Sequence, residues 1–165
     1  MSLMKIIRTN DDHLLTFLRV VLGFVFFAHG AQKALGWFGG HGFDQTMESF
    51  TQGLGIPTFF AVLAIMAEFL GGIGLIVGLL SRVAAFAIAV NMIVAVALVH
   101  GRYGLFMNWA GNQPGEGFEF HLLAISMALF VVVRGAGAWS LDRVLEARFL
   151  GGRTLHIHME PEPSH

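Results

Sequence analysis

Long apolar runs separated by polar or glycine-rich segments dominate the pattern of this chain. Four runs, at 14–35, 58–80, 83 to about 103, and about 118–138, are long enough to cross a membrane as helices. A span needs roughly 20 apolar residues to cover about 30 Å of hydrocarbon. The pattern therefore predicts an all-α fold, a polytopic membrane four-helix bundle.

The segments between and after these runs predict how the helices are connected. Only Ser81 and Arg82 separate the second run from the third, which predicts a tight helical hairpin, whereas 36–56 and 104–117 are long connections. After the fourth run, apolar residues recur at helical spacing opposite charged ones, which predicts a C-terminal interfacial amphipathic helix. We expect a cytoplasmic N-terminal segment (1–13), a transmembrane domain (14–138), this interfacial helix (139–152) and a flexible cytoplasmic tail (153–165).

Composition and charge agree with a lipid environment. Of the 165 residues, 55% are apolar and 13% are charged, and the mean hydropathy is +0.68, which is unusual for a soluble domain. The basic residues are scattered, so nucleic acid is not an expected partner. The chain has no cysteine, so any redox chemistry needs a bound cofactor or a partner.

The distribution of basic residues predicts the orientation. Seven of them lie on the side that holds the termini and the short turn: Lys5, Arg8, Arg82, Arg134, Arg143, Arg148 and Arg153. Only Lys33 and Arg102 lie on the side of the long connections. Because basic loops stay in the cytoplasm, both termini are expected there, with the long connections on the outer side.

Glu68 is predicted to lie near the middle of the second span, where an ionisable group is costly unless it is paired. Asn91 of the third span is expected at a similar depth, and the long side chain of Arg19 could reach the same layer. Two interpretations stay open. Glu68 forms a structural ion pair with Arg19, or it is a buried carboxylate that exchanges protons with a ligand.

A second polar cluster is predicted at the outer helix ends. Its members are His29, Gln32, Lys33, His100, Arg102, Glu119 and His121. We expect His29, Lys33, His100, Arg102 and His121 to converge on one concavity roofed by Trp37, Phe38 and Trp109, able to bind the head group of a quinone or a small oxyanion. Interfacial anchoring is the alternative. Three histidines on three helices also suggest haem or a metal ion, but their spacing fits no short metal motif, so no metal site is predicted.

Several motifs together resemble the DoxX family. They are His29-Gly30-Ala31-Gln32-Lys33 followed by Gly36-Trp37-Phe38-Gly39-Gly40, then Ala67-Glu68-Phe69-Leu70-Gly71-Gly72, Asn91, His100, Gly117-Phe118-Glu119 and Ser140-Leu141-Asp142. The resemblance implies a four-helix protein of the cell inner membrane. Some members are linked to membrane-bound oxidoreduction, including a subunit of thiosulfate:quinone oxidoreductase.

Three functions follow as hypotheses. In the first, the chain is a membrane component of an oxidoreductase system that works with a partner oxidoreductase subunit and binds a quinone. Glu68 and His29 then exchange protons, and Lys33 and Arg102 stabilise negative charge, with Gln32, Trp37, Asn91, His100, Trp109, Glu119 and His121 as the other ligand-binding residues. In the second, it is a small proton-coupled transporter, and in the third a non-catalytic scaffold. The sequence leaves a homo-oligomer open.

Overall fold

A computed structural model describes residues 6–148, and every regular element in this range is helical. The elements are α1 (His13–Leu35), α2 (Gly42–Glu48), α3 (Thr58–Val77), α4 (Ser81–Leu98), α5 (Glu119–Arg134) and α6 (residues 141–148). Helices α1, α3, α4 and α5 run alternately up and down the bundle. Helix α1 packs mainly on α3, and α4 packs on α5, around a core that includes Phe26, Leu75, Ile88 and Val131. The predicted all-α membrane bundle is confirmed.

The lengths of the four bundle helices differ from the predicted runs at their ends. Within residues 6–148, α1, α3 and α4 are long and apolar enough to cross a membrane. Helix α5 has 16 residues, so it covers only roughly 24 Å. It stops at Gly135, whose φ of 94° ends the helix. The prediction that the fourth helix continues to residue 138 is therefore wrong, because residues 135–140 turn back across the bundle.

One end of the bundle, here called the termini end, gathers residues 6–12, the α3–α4 turn and residues 135–148. Asp142 is 1% exposed and accepts hydrogen bonds from the amides of Leu80 and Ser81 at 2.7 and 2.9 Å. It thereby caps the start of α4 from another part of the chain. Burial raises the pKa of Asp142 above its ordinary value. Asp142 therefore holds α6 against the α3–α4 turn.

Helix α6 begins where the sequence predicts a cap. The hydroxyl of Ser140 accepts a hydrogen bond from the Arg143 amide at 3.2 Å, as an N-cap does. The position of this helix on a membrane surface stays a prediction. Residues 149–152 of the predicted interfacial helix and the predicted tail, 153–165, lie outside the described residues.

The opposite end, here called the loop end, carries the two long connections. The first contains a 3₁₀ turn (Trp37–Gly39), α2 and a π-helical turn (Ser49–Gly53). The second begins with a 3₁₀ turn (His100–Tyr103). Oε1 of Glu119 holds this second connection by accepting hydrogen bonds from the Met107 amide at 3.1 Å and from Nε1 of Trp109 at 2.8 Å.

Candidate functional site

A buried carboxylate, Glu68 of α3, joins three helices. Its Oε2 accepts a hydrogen bond from Nζ of Lys33 on α1, and its Oε1 accepts one from Nδ2 of Asn91 on α4 at 3.0 Å. Glu68 is 4% exposed and is the eleventh of the 20 residues of α3, roughly 15 Å along the helix from the loop end. Both carboxylate oxygens are thus held by side chains, which can exchange partners with a ligand more readily than backbone groups can.

Close packing of α1 on α3 brings Lys33 to Glu68. Gly30 of α1 lies against the backbone of Glu68 and Phe69, and Gly23 lies one heptad earlier against Leu75 and Ile76. A β-carbon at Gly23 would lie 2.8 Å from the Ile76 amide nitrogen, closer than real side chains come. The glycines therefore let the two backbones touch, and they fix the antiparallel register of the pair.

Arg19 does not pair with Glu68, so the predicted structural ion pair is wrong. The guanidinium, in a residue 1% exposed, donates from Nε to the Ala136 carbonyl at 2.7 Å and from Nη2 to the Trp139 carbonyl at 2.8 Å. Nη1 donates to the carbonyls of Leu75 and Ile76, the latter at 3.0 Å. Because Glu68 is level with Gly30, eleven residues beyond Arg19, it lies roughly 16 Å away along α1.

Two histidine rings contact each other where α4 ends and α5 begins. The ring centroids of His100 and His121 are 4.1 Å apart with an interplanar angle of 40°. His100 Nδ1 lies 2.8 Å from the Glu116 carbonyl oxygen, which can only accept, so this nitrogen carries a proton. His121 is 6% exposed, and its Nδ1 has no hydrogen-bond partner among the described residues. A buried polar atom without a partner is costly.

These polar groups open onto one large cavity. Its volume is about 1740 Å³, and its polar lining includes His29, Lys33, Glu68, Asn91, His100 and His121. Most of the remaining wall is apolar and belongs to α3 and α4. Of the five residues predicted to converge, His29, Lys33, His100 and His121 line this cavity and Arg102 does not. Glu68 and Asn91, which were predicted as a separate group, line the same cavity.

The other predicted ligand-binding residues do not line this cavity. The Gln32 side chain donates to the Phe38 carbonyl at 3.2 Å, and exposed Trp37 packs edge-on against Phe27. Exposed Arg102 lies over its neighbour, the Tyr103 ring. Trp109 and Glu119 line a separate depression of about 550 Å³. The aromatic side chains expected to roof the site thus lie at the surface.

The cavity wall at the loop end comes instead from the end of the first connection. Phe50, Leu54, Ile56 and Pro57 line it, together with Phe60 at the start of α3. This segment was not predicted from the sequence because it contains no charged residue and no histidine. It contains a π-helical turn (Ser49–Gly53), a conformation that is frequent at functional sites. No residue pattern predicts such a turn. Within residues 6–148, no three His, Cys, Asp or Glu side chains are grouped to hold a metal ion.

Residues 14–101, more than half of the chain, match the family model described as DoxX. The chain belongs to the DoxX family. This match confirms the resemblance seen in the motifs, and it includes the cavity residues of α1, α3 and α4.

Several DoxX relatives are similar over most of their length. An uncharacterised protein of Haemophilus influenzae is 35% identical over 79% of this chain and 89% of its own. The inner membrane protein YqjF of Escherichia coli is 26% identical over 79% of this chain and 91% of its own. A Bacillus subtilis relative named "Putative oxidoreductase CatD" is 29% identical over 76% of this chain and 81% of its own. No solved structure matches the chain significantly. Membrane localisation follows from the family, the relatives and the apolar helices.

Proposed function

We propose that this DoxX protein is a membrane component of an oxidoreductase system and that it binds a quinone in the cavity at the loop end. The observation that carries the proposal is the convergence of Lys33, Glu68, Asn91 and His121 on one largely apolar cavity. Ligand sites commonly have this form, with apolar walls and a few polar groups that fix orientation. The name of the Bacillus subtilis relative agrees with oxidoreduction.

The site chemistry fits the head group of a quinone. Reduction to the quinol adds two electrons and two protons, and the negative charge develops on the carbonyl oxygens. Lys33 and Asn91 are hydrogen-bond donors that can stabilise this charge, while Glu68 and His29 are groups that can transfer protons. The chain has no cysteine, so we assign the supply of electrons to a partner oxidoreductase subunit.

The proposed location is the cell inner membrane with both termini in the cytoplasm. The name of the Escherichia coli relative supports this membrane, and the asymmetry of Lys and Arg supports the orientation. In that orientation the loop end, with the polar part of the cavity, faces the outer side.

One observation favours a second candidate function. Glu68 lies near the middle of α3 and is paired with Lys33, and a carboxylate–lysine pair at membrane depth can couple proton movement to transport. A proton-coupled transporter would move its substrate across the membrane of reconstituted liposomes and would not enrich quinone. A scaffold would form a stable complex with its partner but would neither transport a substrate nor enrich quinone.

The test is to purify the full chain gently in native lipid and measure quinone per protein against quinone per lipid. Lys33→Met removes a cation that lines the cavity, and the matched control Arg102→Met removes one outside it. We expect quinone enrichment in the wild type and in Arg102→Met, and its loss in Lys33→Met. Should Lys33→Met fail to fold, Asn91→Leu makes the same test. No enrichment in the wild type, or equal enrichment in all variants, contradicts the proposal.

A further inference from the structure

The cavity continues well beyond its polar groups. From the level of Glu68 and Asn91 it extends along α3 and α4 to the turn at Leu79 and Leu80, roughly 16 Å further along the bundle. We call this part, whose lining residues lie within 70–90, the apolar arm. The total volume of about 1740 Å³ exceeds the roughly 300–1,000 Å³ that is typical of small-molecule pockets. A quinone head group alone leaves the apolar arm unfilled.

The walls of the apolar arm offer no polar contact. Every residue between 70 and 90 that lines it is apolar or glycine. Small side chains such as Gly74, Ala84 and Ala87 leave its space open, and larger ones such as Leu70 and Phe86 flank it with exposed side chains. A membrane surrounds these exposed flanks with acyl chains, so the arm is accessible from the side. A small water-soluble anion would gain nothing in this part of the cavity.

The polar end of the same cavity carries an independent sign of a ligand. Nδ1 of His121 is buried and has no partner among the described residues, although His121 lines the cavity. The neighbouring His100 uses its own Nδ1 on the Glu116 carbonyl and so leaves His121 without that acceptor. A small rotation of the His121 ring would let a polar ligand group at this end become the partner of Nδ1, whereas the arm accepts only apolar atoms.

We infer that the ligand is a long-tailed membrane amphiphile whose head lies between Glu68, Asn91 and His121 and whose tail lies in the apolar arm. It enters sideways from the bilayer between α3 and α4. This inference rests on the proposed function and narrows it, because the quinone must then be one with a long isoprenoid or alkyl tail. A small oxyanion from the aqueous side does not fit.

The experiment uses the full chain in phosphatidylcholine nanodiscs and two photoreactive benzoquinones. One carries a diazirine at the end of a prenyl tail, and the other has no tail and a photoreactive head. Crosslinked residues are mapped by mass spectrometry. We expect tail crosslinks within 70–90 that excess unlabelled prenylquinone prevents, and head crosslinks near His121. Ala87→Phe, which fills the arm, should lose most of the tail crosslinks, whereas Ala97→Phe, exposed on the same helix outside the cavity, should keep them.

The outcomes separate the two proposals. Tail crosslinks spread evenly over lipid-facing residues of all helices, with head crosslinks retained, overturn the inference and leave quinone binding standing. The inference is also overturned, and quinone binding left standing, if Ala87→Phe keeps its tail crosslinks. A photoreactive phospholipid that labels the arm and that prenylquinone does not displace would have the same meaning. No protectable crosslink from either probe overturns the proposed function as well.

Discussion

At the termini end of the bundle, buried charges are bound to the backbone, whereas at the loop end they are bound to one another beside a cavity. Arg19 donates to carbonyls of α3 and of residues 136 and 139, and Asp142 accepts from the first amides of α4. Glu68 instead meets the side chains of Lys33 and Asn91. Both ends thus contain costly buried charges, but with different partners.

This difference separates structural from functional roles. Arg19 and Asp142 satisfy groups at helix ends that otherwise lack partners inside the helix, so their interactions cannot change without opening the fold. The Glu68 group bridges side chains from three helices, and a ligand can replace one of these side-chain partners without unwinding a helix. Variants at the termini end should therefore lower stability, and variants at the cavity should lower function.

The largest expected effect is that of Arg19→Met. The methionine fills much of the space but leaves the Ala136 and Trp139 carbonyls without their donor, and each buried unsatisfied group costs about 1–3 kcal/mol. We expect a loss of roughly 3 kcal/mol or more, measured by denaturant unfolding in detergent. Arg134→Met is the control, because that side chain is 47% exposed. Equal stability of the two variants would show that Arg19 does not hold this end together.

Gly72→Ala should have the next largest effect. Gly72 of α3 lies directly against the backbone of Phe27 on α1, so a β-carbon forces the two helices apart, at a cost of about 1–3 kcal/mol. At the neighbouring Gly71 a β-carbon makes only ordinary contacts, with the Ile88 side chain at 3.5 Å and with the Ala84 carbonyl oxygen at 3.7 Å. Gly71→Ala should therefore melt at or slightly above the wild-type temperature. If Gly72→Ala has the same melting temperature as Gly71→Ala, the result would argue against the close α1–α3 contact.

Glu68→Gln should have little effect on folding and a large one on function. Glutamine keeps the shape and the acceptor for Asn91 but cannot carry the negative charge or exchange a proton as a carboxyl group can. We expect a melting temperature near that of the wild type together with a loss of quinone turnover in the presence of the partner enzyme. Turnover at the wild-type rate would restrict Glu68 to packing, and a variant that fails to assemble would make its role structural.

The smallest effect concerns Asp11 and Arg143 at the surface of the termini end. A hydrogen bond from Arg143 lowers the pKa of Asp11 below its ordinary value of 3.8. A lowered folded-state pKa adds stability above the unfolded pKa, and this stability disappears as the pH falls through the folded value. Because the pair is exposed, the difference in melting temperature between wild type and Asp11→Asn should be slight at pH 6 and should shrink as the pH falls below 3.8. A difference that grows on acidification would contradict the pairing.

The helices were predictable because their apolar runs are long, and the errors occur where the backbone turns. The first run differs by one residue from α1 (His13–Leu35). The second ends at Gly78, which has a φ of 73°, instead of continuing to residue 80. The fourth ends early at Gly135. These turns are apolar and rich in glycine, so hydropathy does not distinguish them from a membrane span. The position at which the chain leaves each helix depends on contacts with Arg19 and with residues 6–12.

The site was only partly predictable because hydropathy gives the depth of a residue but not the register of two helices. The contacts of Gly23 and Gly30 with α3 place Glu68 level with the half of α1 nearer the loop end, which makes Lys33 its partner and excludes Arg19. The cavity walls at Phe50 and Leu54 depend on a π-helical turn that no pattern indicated. The expected roof of Trp37 and Trp109 assumed that aromatic loop residues fold inward.

The central claim, that the loop-end cavity binds a ligand through a group the fold does not need, is tested most directly at His121. The measurement is the melting temperature of the purified chain at rising concentrations of a prenylated benzoquinone, for the wild type and for His121→Phe. Phenylalanine keeps the ring that packs on His100 and Phe120 and removes the unpartnered nitrogen. Ligand at 100 times its dissociation constant stabilises the native state by about 2.7 kcal/mol. We predict that ligand-free His121→Phe melts at or above the wild-type temperature, because the costly unpartnered nitrogen is gone. Quinone should raise the melting temperature of the wild type and raise that of His121→Phe little; equal rises, or none in the wild type, would contradict the account.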